Sequence, residues 1–245
     1  MRNIRLTIEY KGTNYAGWQC QKSKVKTIQE AIENILQKIL QEKIRLIASG
    51  RTDAGVHAQA QVANFKTNSD IALKKLQRAL NSLLPEEIVI SKAEEVPLGF
   101  HSRFAAKSKV YRYTILNQPN PSAFLRDTVY FYPFSLDASL MQREARVLLG
   151  RHNFKSFQAA DNIERNPVRT VKKIKITKEK KLIYIDIESD GFLYNMVRNI
   201  VGTLIEIGRG RLPQGSLRAV LLSRNRKYAG PTVPARGLCL VNVKY

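Results

Sequence analysis

Cysteine is nearly absent from this chain. Cys20 and Cys239 are the only two, far apart and outside any C-x-x-C spacing. That excludes a zinc ribbon and a disulfide scaffold, and it fits a reducing, cytoplasmic setting. Histidine is equally scarce. His57, His101 and His152 stand apart from one another and from the cysteines, without metal-ligand spacing. No apolar run approaches the roughly 18 residues of a membrane span. The first ten residues, M-R-N-I-R-L-T-I-E-Y, are interrupted by charge, and Ile4, Leu6 and Ile8 alternate as in a strand, so no signal peptide is expected. Low-complexity segments are missing. So are the Walker A, G-x-G-x-x-G and G-x-S-x-G patterns, which removes support for nucleotide hydrolysis, nicotinamide redox and serine hydrolysis.

Acidic residues are the other shortage. Twenty Asp and Glu face 41 Lys and Arg, a formal net charge of +21. Residues 1–105 hold 16 basic and 10 acidic side chains, and residues 106–245 hold 25 and 10, so the excess lies mainly in the second part. Such a balance calls for a polyanionic partner. Nucleic acid is the first candidate; an anionic membrane is second, since no basic amphipathic helix stands out.

The chain has 245 residues, 44% of them hydrophobic. That suffices for a core in one large or two small domains. Periodicity predicts a strand at 3–9 and a helix at 27–43, with Thr27 and Glu30 as a capping box. A strand near 60–65, a helix over 70–84 stopped by Pro85 and a strand at 87–92 follow. The apolar stripe of that second helix includes Leu76, Leu80, Leu83 and Leu84. The pattern restarts with a strand at 108–116, a helix capped by Asp137 and running to Leu149, and a hairpin at 168–177 and 181–188. Helices at 192–207 and 214–222 and a closing strand complete it. The expected fold is α+β: two lobes of split-βαβ type (RNP or ferredoxin-like), with mainly antiparallel sheets, helices on one face and a catalytic cleft between the lobes. The lobes are expected at 1–105 and 106–245.

Three segments could carry chemistry. In A-S-G-R-T-D-A-G-V-H-A, residues 48–58, Gly50 and Gly55 bracket Asp53, with Arg51 two residues before it. A carboxylate on a tight loop, kept ionised by an arginine, is a nucleophile or a base; it is equally an ordinary turn residue. In Y-R-Y, Tyr111 and Tyr113 share one strand face and Arg112 takes the other. A tyrosine there stacks on a base, accepts a proton, or merely fills the core. In D-G-F-L-Y-N-M-V-R-N-I-V-G, residues 190–202, Arg198 interrupts an apolar helix and needs a carboxylate or phosphate partner if buried. The lysine-rich strand at 172–181 and G-R-G-R-L at 208–212 are candidate phosphate contacts.

These motifs together resemble the tRNA pseudouridine synthase A family. Y-K-G-T-N-Y-A-G-W-Q, S-G-R-T-D-A-G-V-H-A, F-H-S-R-F-A-A-K, Y-R-Y, H-N-F-K-S-F, F-L-Y-N-M-V-R-N-I-V-G and P-A-R-G-L occur in the family's order across essentially the whole chain. The resemblance implies an isomerase that turns uridine into pseudouridine at positions 38–40 of the tRNA anticodon stem-loop. It implies a homodimer that needs no organic cofactor, and the residue spacing offers no metal site. It assigns Asp53 as the essential carboxylate, with Arg198 pairing with it. Arg51 would extrude the target base and hold its place. Tyr111 would stack on the uracil and take its C5 proton late in the reaction, and Leu238 would pack against the base. Two rivals stand beside it: a basic RNA-binding protein without catalysis, and an Asp-dependent nucleoside hydrolase, for which no second carboxylate is apparent.

Overall fold

The computed structural model describes residues 1–21, 25–160 and 166–245. They divide into two compact units, Met1–Lys107 with Cys239–Tyr245, and Ser108–Leu238.

The first unit contains β1 (Arg2–Tyr10), α1 (Ile28–Leu40), β2 (Ile47–Ala48), β3 (His57–Thr67), α2 (Leu73–Leu83) and β4 (Ile88–Val96). The sheet order is β4-β1-β3, with β2 on β3, and these pairings are all antiparallel. β3 therefore lies between β1 and β2, which α1 connects. β1 in turn lies between β3 and β4, which α2 connects. These are two interleaved split-βαβ units, as expected. Ile4, Leu6, Ile8 and Tyr10 are buried on one face of β1, and the polar residues between them take the other.

Thr27 caps α1 by accepting the Glu30 amide at 3.3 Å. The helix stops at Leu40 rather than 43, because Gln41 turns into the left-handed region at φ 55°. In α2, Leu76 and Leu80 are buried, but Leu83 is exposed. Leu84 precedes Pro85 and is extended, so it leaves the helix and turns inward in Leu83's place.

The C-terminal strand, Leu238–Lys244, was expected in the second lobe. Instead, residues Cys239–Tyr245 belong to the first unit. Cys239 and Leu240 pair in parallel with His57 and Ala58 of β3, supplying hydrogen-bond partners that the local sequence does not provide.

The second unit contains β5 (Ser108–Asn117), β6 (Tyr130–Tyr132), α3 (Ala138–Ala145), β7 (Gly150–Asn153), β8 (Val168–Glu179), β9 (Leu182–Ser189), α4 (Met196–Gly208) and α5 (Ser216–Ser223). Its sheet order is β5-β9-β8-β7, antiparallel throughout, with β6 parallel to β5. β9 separates β5 from β8, a third split arrangement. Asp137 caps α3 by accepting the Leu140 amide at 2.8 Å. Ile183, Ile185 and Ile187 of β9 point into the core. The helix expected from residue 192 starts only at Met196. Asn195, at φ 57°, breaks the helical path just before it and leaves Phe192 and Leu193 in a loop.

Both units are α+β with mainly antiparallel sheets. Among the described residues, no helix is long and apolar enough to cross a membrane.

Candidate active site

The loop carrying Asp53 is fixed from several sides. Before it, Ser49 is fully buried; its hydroxyl donates to Gln61 Oε1 at 2.7 Å, and Gln61 Nε2 donates to the Gly50 carbonyl at 2.9 Å. Next to Asp53, the buried Thr52 hydroxyl bonds the Tyr10 phenol at 2.8 Å, and the Thr52 carbonyl accepts the Trp18 amide at 3.0 Å. After it, Gly55 takes φ 77° and its amide reaches the Tyr15 carbonyl, while the Val56 amide closes onto the Asp53 carbonyl at 3.2 Å. Gly12 donates its amide to His57 Nδ1 at 3.0 Å.

Two glycines far back in sequence permit this fit. A methyl on Gly17, itself at φ +93°, would lie 2.7 Å from the Thr52 carbonyl oxygen, and one on Gly12 would collide with the Val56 carbonyl. The segment 12–18 is thus clamped backbone to backbone against residues 52–56. Asp53 is half-buried on this rigid turn and Arg51 is exposed. A carboxylate so held loses little ordering freedom when it meets a substrate. Burial drives the Tyr10 phenol far above its ordinary value, so it is a neutral hydrogen-bond partner for Thr52.

In the second unit, Tyr111 is buried on β5, with its ring edge-on to Phe192 at 5.0 Å and 82°. The Tyr113 hydroxyl donates to the Pro234 carbonyl at 2.8 Å. Arg198 donates from Nε to the Val233 carbonyl at 2.7 Å and from Nη1 to Asn195 Oδ1 at 2.8 Å. Neighbouring carbonyls of one segment thus tie both side chains, and that segment leads directly to the buried Leu238. A methyl on Gly237 would come within 2.6 Å of the Tyr113 ring. Arg198, Tyr113 and the approach to Leu238 are therefore brought together.

What holds the 226–234 segment on α4 is a buried polar network. Asn199, fully buried, donates to the Phe157 carbonyl at 2.8 Å; its Oδ1 accepts Arg226 Nη2 at 3.0 Å and the Thr232 hydroxyl at 2.6 Å. Thr203 donates to the Asn199 carbonyl and accepts the Gly230 amide at 2.9 Å. A side chain on Gly202 would collide with the Pro231 carbonyl. Sequence reasoning passed over these residues. The available signal was Asn199 and Thr203, polar and one turn apart on an apolar helix.

Other sequence candidates have structural partners. Arg112 makes a two-pronged pair with Asp186 at 2.7 and 2.8 Å and lies over the Tyr184 ring. In G-R-G-R-L, Arg209 lies 3.6 Å from Glu206 and over Tyr132 and Phe134. Among the described residues, no three His, Cys, Asp or Glu are grouped to hold a metal.

Comparison with known proteins extends this picture. The family described as tRNA pseudouridine synthase matches residues 6–105 and 145–245. The tRNA pseudouridine synthase A of Acetivibrio thermocellus is 48% identical over 245 residues, the full length of both chains. Those of Caldicellulosiruptor bescii and Clostridium acetobutylicum are 47% and 45% identical, again across both full chains. Fold and comparisons together define an α+β isomerase. The chain belongs to the tRNA pseudouridine synthase family.

Proposed function

We propose that this enzyme isomerises uridine to pseudouridine in the anticodon stem-loop of tRNA, at positions 38–40, with Asp53 as its essential carboxylate. The observation that carries the reading is the Asp53 loop. Its acid is half-buried, its neighbour Thr52 is bonded to Tyr10, and glycines 12 and 17 let a second backbone segment close over it. A surface turn needs none of that construction.

The reaction breaks the N1–C1′ bond, turns the uracil and joins C1′ to C5. N1 gains a proton and C5 loses one, so the base stays in the RNA and no oxidant or water is consumed. In this reading the Asp53 carboxylate acts first, on C1′, on C6 or on the C2′ proton. The target base must leave the helical stack before the acid reaches it. Arg51 takes the role of extruding that base and holding its place. Tyr111 stacks on the uracil and takes its C5 proton late in the reaction, Leu238 packs against the base, and Arg198 is the proposed charge partner of the Asp53 carboxylate. A homodimer in the cytoplasm completes the proposal, and the +21 charge supports a polyanionic substrate.

The test uses a tRNA transcript tritiated at C5 of its uridines, with base-resolved mapping of the product. Tritium release at the anticodon stem-loop that disappears in Asp53→Asn is the expected result. Release of free uracil would instead reveal a hydrolase, and salt-sensitive binding without tritium release would reveal an RNA-binding protein.

A further inference from the structure

Phe104 is a large apolar side chain left 77% exposed. Its surroundings are nevertheless ordered. The His101 ring stacks on it, with centroids 4.2 Å apart and planes inclined by 27°, and the Arg103 guanidinium lies 5.7 Å from its centroid. His101 Nδ1 accepts the amides of Arg103 and Phe104 at 3.2 and 3.3 Å, which fixes the imidazole in place.

Beneath this exposed stack lies a buried polar lattice. Asn64 Oδ1 accepts both the Ser102 amide and hydroxyl, at 2.9 and 2.8 Å. Asn64 Nδ2 donates to Asn3 Oδ1, and Asn3 in turn donates to the Pro97 and Phe100 carbonyls at 3.0 Å each. The Tyr245 hydroxyl donates to the Ser102 carbonyl at 3.0 Å. Asn3, Asn64 and Ser102 are all but inaccessible to solvent. The loop is therefore rigid, and it presents an aromatic ring to solvent at the cost of its hydration. A ring placed for the core would turn inward.

The charge around it selects the partner. Residues 96–107 contain no Asp or Glu, whereas His101, Arg103 and Lys107 are all there. A ring left mostly exposed, a guanidinium lying over it and a pre-ordered backbone suit an unstacked nucleobase with its phosphate nearby. We propose that Phe104, backed by His101 and flanked by Arg103, is a stacking platform for a nucleobase of the bound tRNA, separate from the base that is isomerised. The identity of the RNA rests on the reading given above; the platform itself rests on the geometry of this loop.

Titration of a full-length tRNA transcript into Phe104→Ala, Phe104→Leu and Phe104→Tyr tests it. Stacking on an aromatic side chain is worth roughly a 5- to 100-fold change in affinity. Phe104→Ala and Phe104→Leu should lose that factor and raise KM, with kcat at saturating tRNA nearly unchanged; Phe104→Tyr should retain affinity. The salt dependence of binding should keep its slope in Phe104→Ala, because no phosphate contact is removed, and should flatten by about one ion in Arg103→Ala.

Unchanged affinity in Phe104→Ala overturns the proposal. So does full affinity in Phe104→Leu, which would mean apolar packing without stacking. A changed sedimentation mass with unchanged RNA affinity would also overturn it, and would assign the ring to a protein contact. Tritium release by the unaltered protein, measured in parallel, judges the synthase reading separately. Phe104-dependent binding without release leaves the platform standing and the synthase reading fallen.

Discussion

Tyr10 and Thr52 share a buried hydrogen bond of 2.8 Å, and it fixes the residue immediately before Asp53. Tyr10 ends the first strand and Thr52 sits in the Asp53 loop 42 residues later, so the bond ties the sheet to the loop. Losing either hydroxyl removes a buried hydrogen bond, which costs about 1 kcal/mol, and up to about 3 where the remaining group is left unsatisfied; Tyr10 also has Gln61 as a partner, and the two losses overlap when both hydroxyls go. Tyr10→Phe and Thr52→Val are each expected to destabilise by that amount, and the double variant by less than their sum. Urea denaturation of the four proteins gives the coupling. In the same set, kcat should fall more than tRNA affinity, because the bond positions the acid and does not touch RNA.

Gly17 offers a sharper test of the clamp. A methyl there meets the Thr52 carbonyl at 2.7 Å, and its φ of +93° is strained for any other residue. Gly17→Ala is expected to cost about 1–3 kcal/mol and to displace the Asp53 turn. A displacement on the order of 1 Å lowers a rate by about 100-fold. Gly99→Ala is the control, because the space around Gly99 is open. Single-turnover rates with both variants check this; a Gly17→Ala enzyme of normal rate would show that the clamp is not needed to place Asp53.

Much of this was legible in the sequence where the cause is local. Thr27 and Asp137 were readable as caps because each bonds an amide three residues on. Asp53 stood out because glycines bracket it. Non-local causes were not readable. Nothing near Gly12 or Gly17 says that residues 52–56 will lie against their bare Cα atoms. The left-handed turn at Asn195, which delays the start of α4, is paid for by contacts elsewhere, including its bond from Arg198. The final strand reads correctly as a strand, yet its partner, His57–Ala58, lies some 180 residues earlier in the chain. The F-H-S-R-F segment was a landmark without a role until the exposure of Phe104 and the bonds under it were visible together.

The Asn199 network leads to a third expectation. Arg226 donates to Asn199, Thr232 and the Ala229 carbonyl, all of them neutral, and burial pulls its guanidinium below the ordinary value. Its fork holds the segment that ends on the Val233 and Pro234 carbonyls, the anchors of Arg198 and Tyr113. Lysine has one donor centre and does not reproduce that fork. Arg226→Lys should therefore lose activity despite retaining its charge. Asn199→Ala should destabilise by about 1–3 kcal/mol, as three partners lose their bond. Thermal melts together with kcat and KM check both. A drop in kcat in Arg226→Lys at unchanged tRNA affinity identifies positioning; a loss of affinity alone would make Arg226 a phosphate contact instead.

Alkaline pH probes the buried phenols as a group. Burial raises Tyr10 and Tyr113 far above the ordinary value near 10, and raises Tyr245 to about 12. Each keeps its proton in the folded state after the unfolded chain has released its own. Below pH 10 both states are protonated and the stability these phenols provide is fully present. Above it the unfolded state binds fewer protons, so stability falls with pH, by up to about 1.4 kcal/mol per pH unit for each phenol. For Tyr245 the fall levels off near pH 12; for Tyr10 and Tyr113 it continues beyond. Tyr113→Phe removes one titrating group, and its loss of the Pro234 bond is independent of pH in this range. Urea titrations between pH 8 and 11.5 should therefore show the variant less stable at pH 8 but with a shallower decline above pH 10. Parallel curves would place Tyr113 in solvent contact, where its phenol titrates alike in both states.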